Sequence, residues 1–216
     1  MNDSEGKSLD PRIRRTRQSL QDALVELLKT KSFDEISVQD VVESAALNRG
    51  TFYLHYADKY ALLECTTATR FQALLDERGI RFDGTCESAL GMIFLGVCDY
   101  LVAAVESKQK NDPWPLDPHM ESAIISVVTK MSLDGLAQQQ PWTNTVEPKM
   151  VASIVSWGLY GAAKQWIHTP ERPNAETILT NVVGLLVPIV HAPTPPASQI
   201  STERSALPAV GTISNS

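Results

Sequence analysis

Three helix N-cap residues that follow one another at short intervals limit what the N-terminal part of this chain can fold into. Ser37, Asn48 and Asp58 each precede a short segment of helical character. Side chains of these types accept hydrogen bonds from the free backbone N–H groups at a helix start. Asp40, three residues after Ser37, adds the pattern of a capping box. The sequence therefore predicts three helices, from about residues 37, 48 and 58, joined by very short turns.

A longer helix is predicted before them, over about residues 10–30. Asp10 and Pro11 suit its N-cap and first turn. Its apolar residues recur at helical spacing, namely Leu20, Ala23, Leu24, Leu27 and Leu28. Leu47, Phe52 and Tyr56 are expected to close a small core against this face. Short helices with a tight turn form a helix-turn-helix, whose second helix enters the major groove of DNA.

The remainder of the chain is predicted to be helical, with proline-rich breaks and no alternating strand pattern. The fold class is therefore all-α, with an N-terminal three-helix helix-turn-helix domain and a C-terminal helical bundle. The predicted division is a flexible N-terminal arm at 1–9, the helix-turn-helix domain at 10–57, the helical domain at 58–191, and a Pro/Ser/Thr-rich disordered tail at 192–216.

Composition argues against several functions. A net charge of −6 is unsuited to coating nucleic acid indiscriminately, although "RIRRTR" concentrates cations near the N-terminus. The sequence has no phosphate-cradling glycine loop, no His-Glu-x-x-His and no Gly-x-Ser-x-Gly. We therefore expect no enzyme activity, no catalytic residues and no cofactor.

The three cysteines, Cys65, Cys86 and Cys98, show no disulfide or metal-ligand spacing. No metal site is expected, and a cytoplasmic location is predicted, because sparse and odd cysteines fit a reducing compartment and the first residues are unlike a signal peptide. A thiol-based redox sensor that uses one of these cysteines remains an alternative function, with a helical enzyme as a weaker one.

The stretch "NRGTFYLHYADK" carries the residues best suited to reading DNA. Arg49 can offer two donors to guanine, Gly50 permits close backbone approach, and Thr51 can bond a base edge or phosphate. Tyr53, His55 and Lys59 suit phosphate oxygens. Arg14 and Arg17 belong to the basic cluster that would reach a phosphate or the minor groove.

The same region resembles the DNA-binding domain of TetR/AcrR transcriptional regulators, most closely in "ISVQDVVESAALNRGTFYLHYADKYALL". Two positions depart from the family pattern: Ala46 replaces a turn glycine that often has positive φ, and Tyr56 replaces a commoner Phe. By position, the resemblance implies DNA contacts at Ser37, Gln39, Asn48, Arg49, Gly50, Thr51, Tyr53, His55 and Lys59.

The segments "MVASIVSWGLYGAAKQWI" and "AETILTNVVGLLV" are similar to the last two helices of many members. The resemblance implies a homodimer through a four-helix bundle, a palindromic double-stranded DNA operator, and repression relieved by a small-molecule effector. The uncharged stretch 150–163 independently favours a partner, although a helix buried within one chain is the alternative. The expected interface residues are Ile154, Gly158, Gly161, Ala162, Leu179, Val183 and Leu186.

Four residues of the middle and later helices are candidates for an effector pocket: Met92, Asp99, Met120 and Trp157. Asp99 interrupts an apolar run and would be the counter-charge for a cationic effector. The alternatives are that the Met and Trp side chains are ordinary core and that Asp99 lies on a solvated face.

Overall fold

A computed structural model describes residues 10–84, 87–106, 118–138, 142, 144 and 146–191. The predicted N-terminal arm and C-terminal tail lie outside these residues. Within them all regular secondary structure is helical, as the sequence predicts. The helices are α1 (Pro11–Leu28), α2 (Val38–Ser44), α3 (Arg49–Tyr53), α4 (Lys59–Glu77), α5 (Glu87–Glu106), α6 (Pro118–Leu136), α7 (Pro148–Ile167) and α8 (Ala175–His191).

The predicted N-caps are confirmed, because each side chain accepts a bond from a backbone N–H at a helix start. Asp10 accepts from Arg12 at 2.9 Å, and Asp58 accepts from Ala61 at 2.8 Å. Ser37 forms a full capping box with Asp40, whose carboxylate accepts the backbone N–H of Ser37 at 2.8 Å. The third helix ends earlier than expected, at Tyr53 instead of about His55.

Helices α1, α2, α3 and the start of α4 surround one small core, which we call the head. Leu24, Val41 and Phe52 are completely buried there. Tyr56 is also buried, and its hydroxyl accepts a hydrogen bond from the Gln21 amide at 3.1 Å. The hydroxyl at this position therefore has the partner that burial requires.

The other helices form the body, whose core includes Phe71 and Leu75 from the second half of α4. Within the body α6 packs on α4 and α7, and α5 packs on α7 and α8. Helix α4 contributes Leu62 and Leu63 to the head core, so it belongs to both units. The boundary at residue 58 stays a prediction, because one continuous helix connects the two cores.

Helix α5 is long and apolar enough to cross a membrane by length and composition alone. Half of that stretch is buried inside the body, so its composition is weak evidence for a membrane span. Several of its apolar residues, among them Ile93, Phe94 and Val97, are completely buried against neighbouring helices. These contacts account for the apolar character of α5 through packing.

Ala46 ends α2 with a backbone φ of 53°. The N–H of Leu47 bonds the Val42 carbonyl at 2.8 Å and that of Ala46 bonds Glu43 at 3.1 Å, which is the Schellman pattern that usually places glycine at this position. The positive φ that the family pattern implies at this position is therefore present at Ala46.

Ala46→Gly is expected to raise the free energy of unfolding by about 0.5–1 kcal/mol, because relief of left-handed strain exceeds the extra chain entropy of glycine. Ala45→Gly is the matched control, since Ala45 has right-handed helical geometry and should lose about 0.5–1 kcal/mol. Urea unfolding measures both changes. Destabilisation by both substitutions would contradict the assignment of strain to Ala46.

Candidate nucleic-acid interface

Helix α3 is fixed to the head by one fully buried side chain, Phe52. The Phe52 ring packs edge-on against Tyr53, with centroids 5.4 Å apart. With Phe52 turned inward, the opposite side of α3 faces solvent: Tyr53 is 48% exposed and Leu54 is 82% exposed. An outward leucine beside an outward tyrosine is costly in water and suits apolar contact with a thymine methyl group.

Arg49 lies on the same outward side as Tyr53. Its Nη2 donates to the Tyr53 hydroxyl at 3.2 Å, and its guanidinium lies 5.6 Å from the centre of the Tyr53 ring. Gly50 between them is exposed. The Tyr53 ring therefore limits the freedom of the Arg49 guanidinium without burying it. The missing side chain of Gly50 leaves space for another molecule to approach the backbone of α3 closely.

Four other expected DNA-contact residues form hydrogen bonds in or beside α2 and α3 in this structure. Asn48 Oδ1 accepts from the Thr51 N–H at 2.7 Å and from the Thr51 hydroxyl at 3.0 Å. The Ser37 hydroxyl donates to the Asp40 carboxylate. The Gln39 amide donates to Glu43 at 2.7 Å. Their DNA contacts remain predictions, and each would have to share or exchange these bonds.

The capping box at α2 is reinforced by a cation. Lys31 Nζ donates to Asp40 Oδ1 at 2.7 Å. This bond, followed by those from Ser37, holds the pKa of the Asp40 carboxyl well below its usual range. Asp40 therefore stays ionised at neutral pH, and it places a negative charge beside Ser37.

The structure does not favour the phosphate role expected for Lys59. Its Nζ donates to the backbone carbonyls of Phe33, Asp34 and Ile36 at 3.0, 3.1 and 2.9 Å. An ammonium group has three donors, so all of them serve the turn between α1 and α2. Lys59 thus fastens this turn to α4 and has no donor left for a phosphate in this conformation.

The basic residues of α1 divide into two groups. Arg12, Arg14 and Arg15 are exposed and remain candidates for phosphate contact. Arg17 is half-buried, and it donates to the Tyr56 hydroxyl at 3.4 Å and to Cys65 Sγ at 3.3 Å. Its role here is at least partly structural. His55 is also half-buried, and its phosphate contact stays a prediction.

The cysteines of the redox alternative lie in different surroundings. Cys98 is completely buried, and burial raises the pKa of its thiol to about 12; a thiol that remains protonated is a poor redox sensor. Cys65 is half-buried and accepts hydrogen bonds from Arg17 and Gln21. Cys86 lies outside the described residues. Among the described residues no group of three potential metal ligands occurs.

Three of the four effector candidates lie at the surface of the chain, and their role in binding an effector stays a prediction. Met92 and Trp157 are 42% and 58% exposed. Asp99 is exposed and forms an ion pair with Arg78 on the surface, because the helical repeat turns residue 99 away from the buried face of α5. Met120 lines a cavity that has a volume of about 320 Å³ and lies between head and body.

The residues expected in a dimer interface fall into two groups, those that pack within the chain and those that are exposed. A Cβ on Gly158 would lie 2.7 Å from Leu186 of the same chain, and Val183 and Leu186 are buried within the chain. Leu179 packs in the same way against Gly91. These four residues therefore take part in contacts between helices of one chain, and their part in a dimer interface stays a prediction. Ala162 is half-buried, so its assignment stays open.

An exposed apolar surface remains on the neighbouring side of these helices, and we call it the α7/α8 face. Its members from the predicted set are Ile154 and Gly161. Its other members lie outside the predicted set. Helical spacing from Ile154 connects the two on α7, and no sequence signal identifies the third, on α8. They are Met150, Trp157 and Leu185, which are 58%, 58% and 74% exposed.

This arrangement defines a helix-turn-helix protein with a helical body. Residues 20–65 match the family described as bacterial regulatory proteins, tetR family. The chain is 25% identical over 172 residues to an uncharacterised HTH-type transcriptional regulator, YxbF, of Bacillus subtilis (strain 168), and the match covers 76% of this chain and 44% of that protein. The chain thus spans less than half the length of this relative.

Two solved structures share the fold. FadR of Thermus thermophilus, a TetR family transcriptional repressor in complex with lauroyl-CoA, has a TM-score of 0.53 at 18% identity, covering 84% of this chain and 98% of its own. The TetR family repressor AlkX of Dietzia sp. strain DQ12-45-1b has a TM-score of 0.52 at 19% identity, covering 82% and 99%. The match over residues 20–65 confirms the resemblance of the recognition segment to the DNA-binding domain of the tetR family.

Proposed function

We propose that this protein is a homodimeric, sequence-specific DNA-binding transcription regulator, acting in the cytoplasm as a repressor that a small molecule releases. The main support is the outward presentation of Arg49, Tyr53 and Leu54 by a helix whose Phe52 is buried. A short helix of this kind fits the major groove, and its polar and apolar side chains match base edges there.

The head supplies the positioning contacts for such a complex. Arg14 and its exposed neighbours on α1 can neutralise phosphates without reading sequence. The acidic chain as a whole repels DNA elsewhere, so affinity would depend on these few cations and on the outward side of α3. This distribution favours specific sites over general coating.

Assembly as a homodimer is supported by the α7/α8 face. A soluble monomer rarely leaves a large contiguous apolar patch in water, and Trp157 and Leu185 are both mainly exposed. A second copy of the same face would cover these residues through twofold symmetry. Two heads would then meet two half-sites of a palindromic operator.

Control by an effector is supported by the position of α4 and by the cavity between head and body. The Thermus thermophilus protein of similar fold was solved with lauroyl-CoA, whereas the present proposal rests on the cavity of this chain. An effector that binds more tightly to an arrangement of head and body unsuited to DNA would weaken DNA binding. Operator DNA would then weaken effector binding by the same factor.

Arg49→Ala tests sequence reading. Selection of bound fragments from random DNA would supply the operator, and titration would compare it with random DNA. The substitution should cost about 1–3 kcal/mol on the operator and relax the preference at one base pair, because a bidentate donor to a base is lost.

Arg14→Ala is the matched control, since both arginines are exposed in the head. It should weaken binding to all sequences alike and reduce the salt slope by about one. Equal losses on operator and random DNA for Arg49→Ala would contradict base reading by α3. Failure of the wild-type protein to enrich any sequence would contradict the proposed function itself.

A further inference from the structure

The cavity of about 320 Å³ has walls from both units of the molecule. Val25 and Leu28 of α1 and Phe33 of the following turn form its head side. Ala103 of α5 and Met120 of α6 form its body side. Its volume falls within the range of small-ligand pockets, about 300–1,000 Å³. It therefore differs in position and size from a packing defect inside one core.

Among the described residues that line this cavity, the charged groups are Lys29 and Arg70, and both are positive. Within the described part of the chain, no carboxylate forms an ion pair with Arg70. Lys29 pairs with Glu26, but both side chains are mainly exposed, and such surface pairs are weak. The cavity thus offers an exposed guanidinium that has no carboxylate partner among the described residues, and a second, loosely held cation, beside an apolar interior.

Tyr100 adds a phenol to the lining of the cavity, which also includes Thr67 and Arg70. Burial raises the pKa of the Tyr100 phenol, so it keeps its proton at neutral pH. A protonated phenol is a hydrogen-bond donor that an anion can use.

The geometry points to this cavity as the effector site, and to a small amphipathic monoanion as its ligand. The anionic group would bind Arg70 and the Tyr100 hydroxyl, and the apolar part would contact Leu28, Phe33 and Met120. This inference rests on the proposed function and deepens it. It also reverses the charge expected for the effector, because Asp99 is on the surface while the cavity carries cations.

The position of the cavity explains how such a ligand would affect DNA binding. Phe33 belongs to the turn whose carbonyls Lys59 holds, and Met120 packs against the head core. The Tyr60 ring of α4 lies 5.4 Å from Phe33 and 4.8 Å from His119 of α6. A ligand between these surfaces favours one orientation of head against body by the difference in its affinity for the two.

Three probes of equal chain length would test the charge preference: octanoate, octan-1-ol and octylamine. Each has about ten heavy atoms, which suits the cavity if one heavy atom fills about the 30 Å³ of a water molecule. Isothermal titration of the full chain should show octanoate binding about tenfold more tightly than octan-1-ol, with octylamine weakest. Equal binding of all three, or tighter binding of octylamine, would overturn the proposal.

Two substitutions locate the site. Arg70→Met should reduce octanoate affinity about tenfold and leave octan-1-ol affinity unchanged. Arg81→Met is the matched control, because Arg81 is an exposed arginine outside the lining of the cavity, and it should change neither affinity. Ala103→Trp should fill the cavity and abolish binding of both probes. Thermal unfolding without probe would verify that each variant is folded. Unchanged octanoate affinity in folded Arg70→Met and Ala103→Trp would overturn the assignment.

The DNA measurement separates this inference from the proposed function. Operator binding by the protein without any probe tests only the proposed function, and octanoate titration without DNA tests only the cavity. If both hold, saturating octanoate should weaken operator binding, and Ala103→Trp should remove that effect. DNA binding with no octanoate binding would overturn the cavity assignment while leaving the regulator intact.

Discussion

Lys59→Met is expected to lower the free energy of unfolding by about 2–3 kcal/mol. The ammonium group donates to three backbone carbonyls between residues 33 and 36, and it lies 4.7 Å from the centre of the Phe33 ring. Hydrogen bonds from charged donors contribute about 1.5–3 kcal/mol each, but water can replace part of them at this half-buried turn. Urea unfolding measures the loss, and methionine preserves most of the apolar stem.

Lys130→Met is the matched control, because Lys130 is exposed on α6 and such substitutions usually change stability by no more than about 0.5 kcal/mol. DNA titrations at several salt concentrations add a second readout. Lys59→Met should weaken binding through the loosened α1–α2 turn without changing the salt slope. A stable Lys59→Met protein whose slope falls by about one would instead establish a phosphate contact.

The head could be predicted from sequence in detail because its determinants are local. An N-cap and its helix lie within three residues of each other, so Ser37, Asn48 and Asp58 could be identified without knowing the fold. The strain at Ala46 was also predictable, since a Schellman ending imposes positive φ at a known position. The bonds of Lys59 could not be predicted, because its partners are more than twenty residues earlier in the chain.

The cavity had no sequence signature for a related reason. Its lining residues extend from Val25 to Met120 and come from four helices and a turn. Neither Lys29 nor Arg70 belongs to a motif, and each alone resembles an ordinary surface cation. The packing of α1 and α4 against α5 and α6 brings these two cations to the same cavity. The periodicity within a single helix contains no information on how helices pack against one another.

On α7 the apolar character could be predicted, but the direction of its faces could be predicted only in part. Gly158 permits the close helix approach expected of a small residue, and it does so with Leu186 of the same chain. Ile154, from the same predicted set, is exposed, and so is Trp157, which the set did not include. A helix without charges gives no polar face from which its orientation could be inferred.

Leu185→Arg is therefore expected to dissociate the proposed dimer while preserving the monomer. Leu185 is 74% exposed within one chain, so the substitution should change monomer stability by no more than about 0.5 kcal/mol. In a twofold interface it would bring two unpaired guanidinium groups into an apolar contact. We expect the dimer dissociation constant to rise at least about 100-fold, which corresponds to about 2.7 kcal/mol, as measured by sedimentation velocity over a concentration series.

Leu54→Arg is the matched control, since Leu54 is a similarly exposed leucine, at 82%, but lies on the head. It should sediment as the wild type does, whereas Leu185→Arg should be monomeric at micromolar concentration and lose operator affinity because one half-site is too weak. Gly158→Arg should behave differently again: its side chain would collide with Leu186, so circular dichroism should report unfolding instead of a folded monomer. A wild-type protein that is already monomeric, or a Leu185→Arg dimer of unchanged affinity, would show that the α7/α8 face serves another purpose.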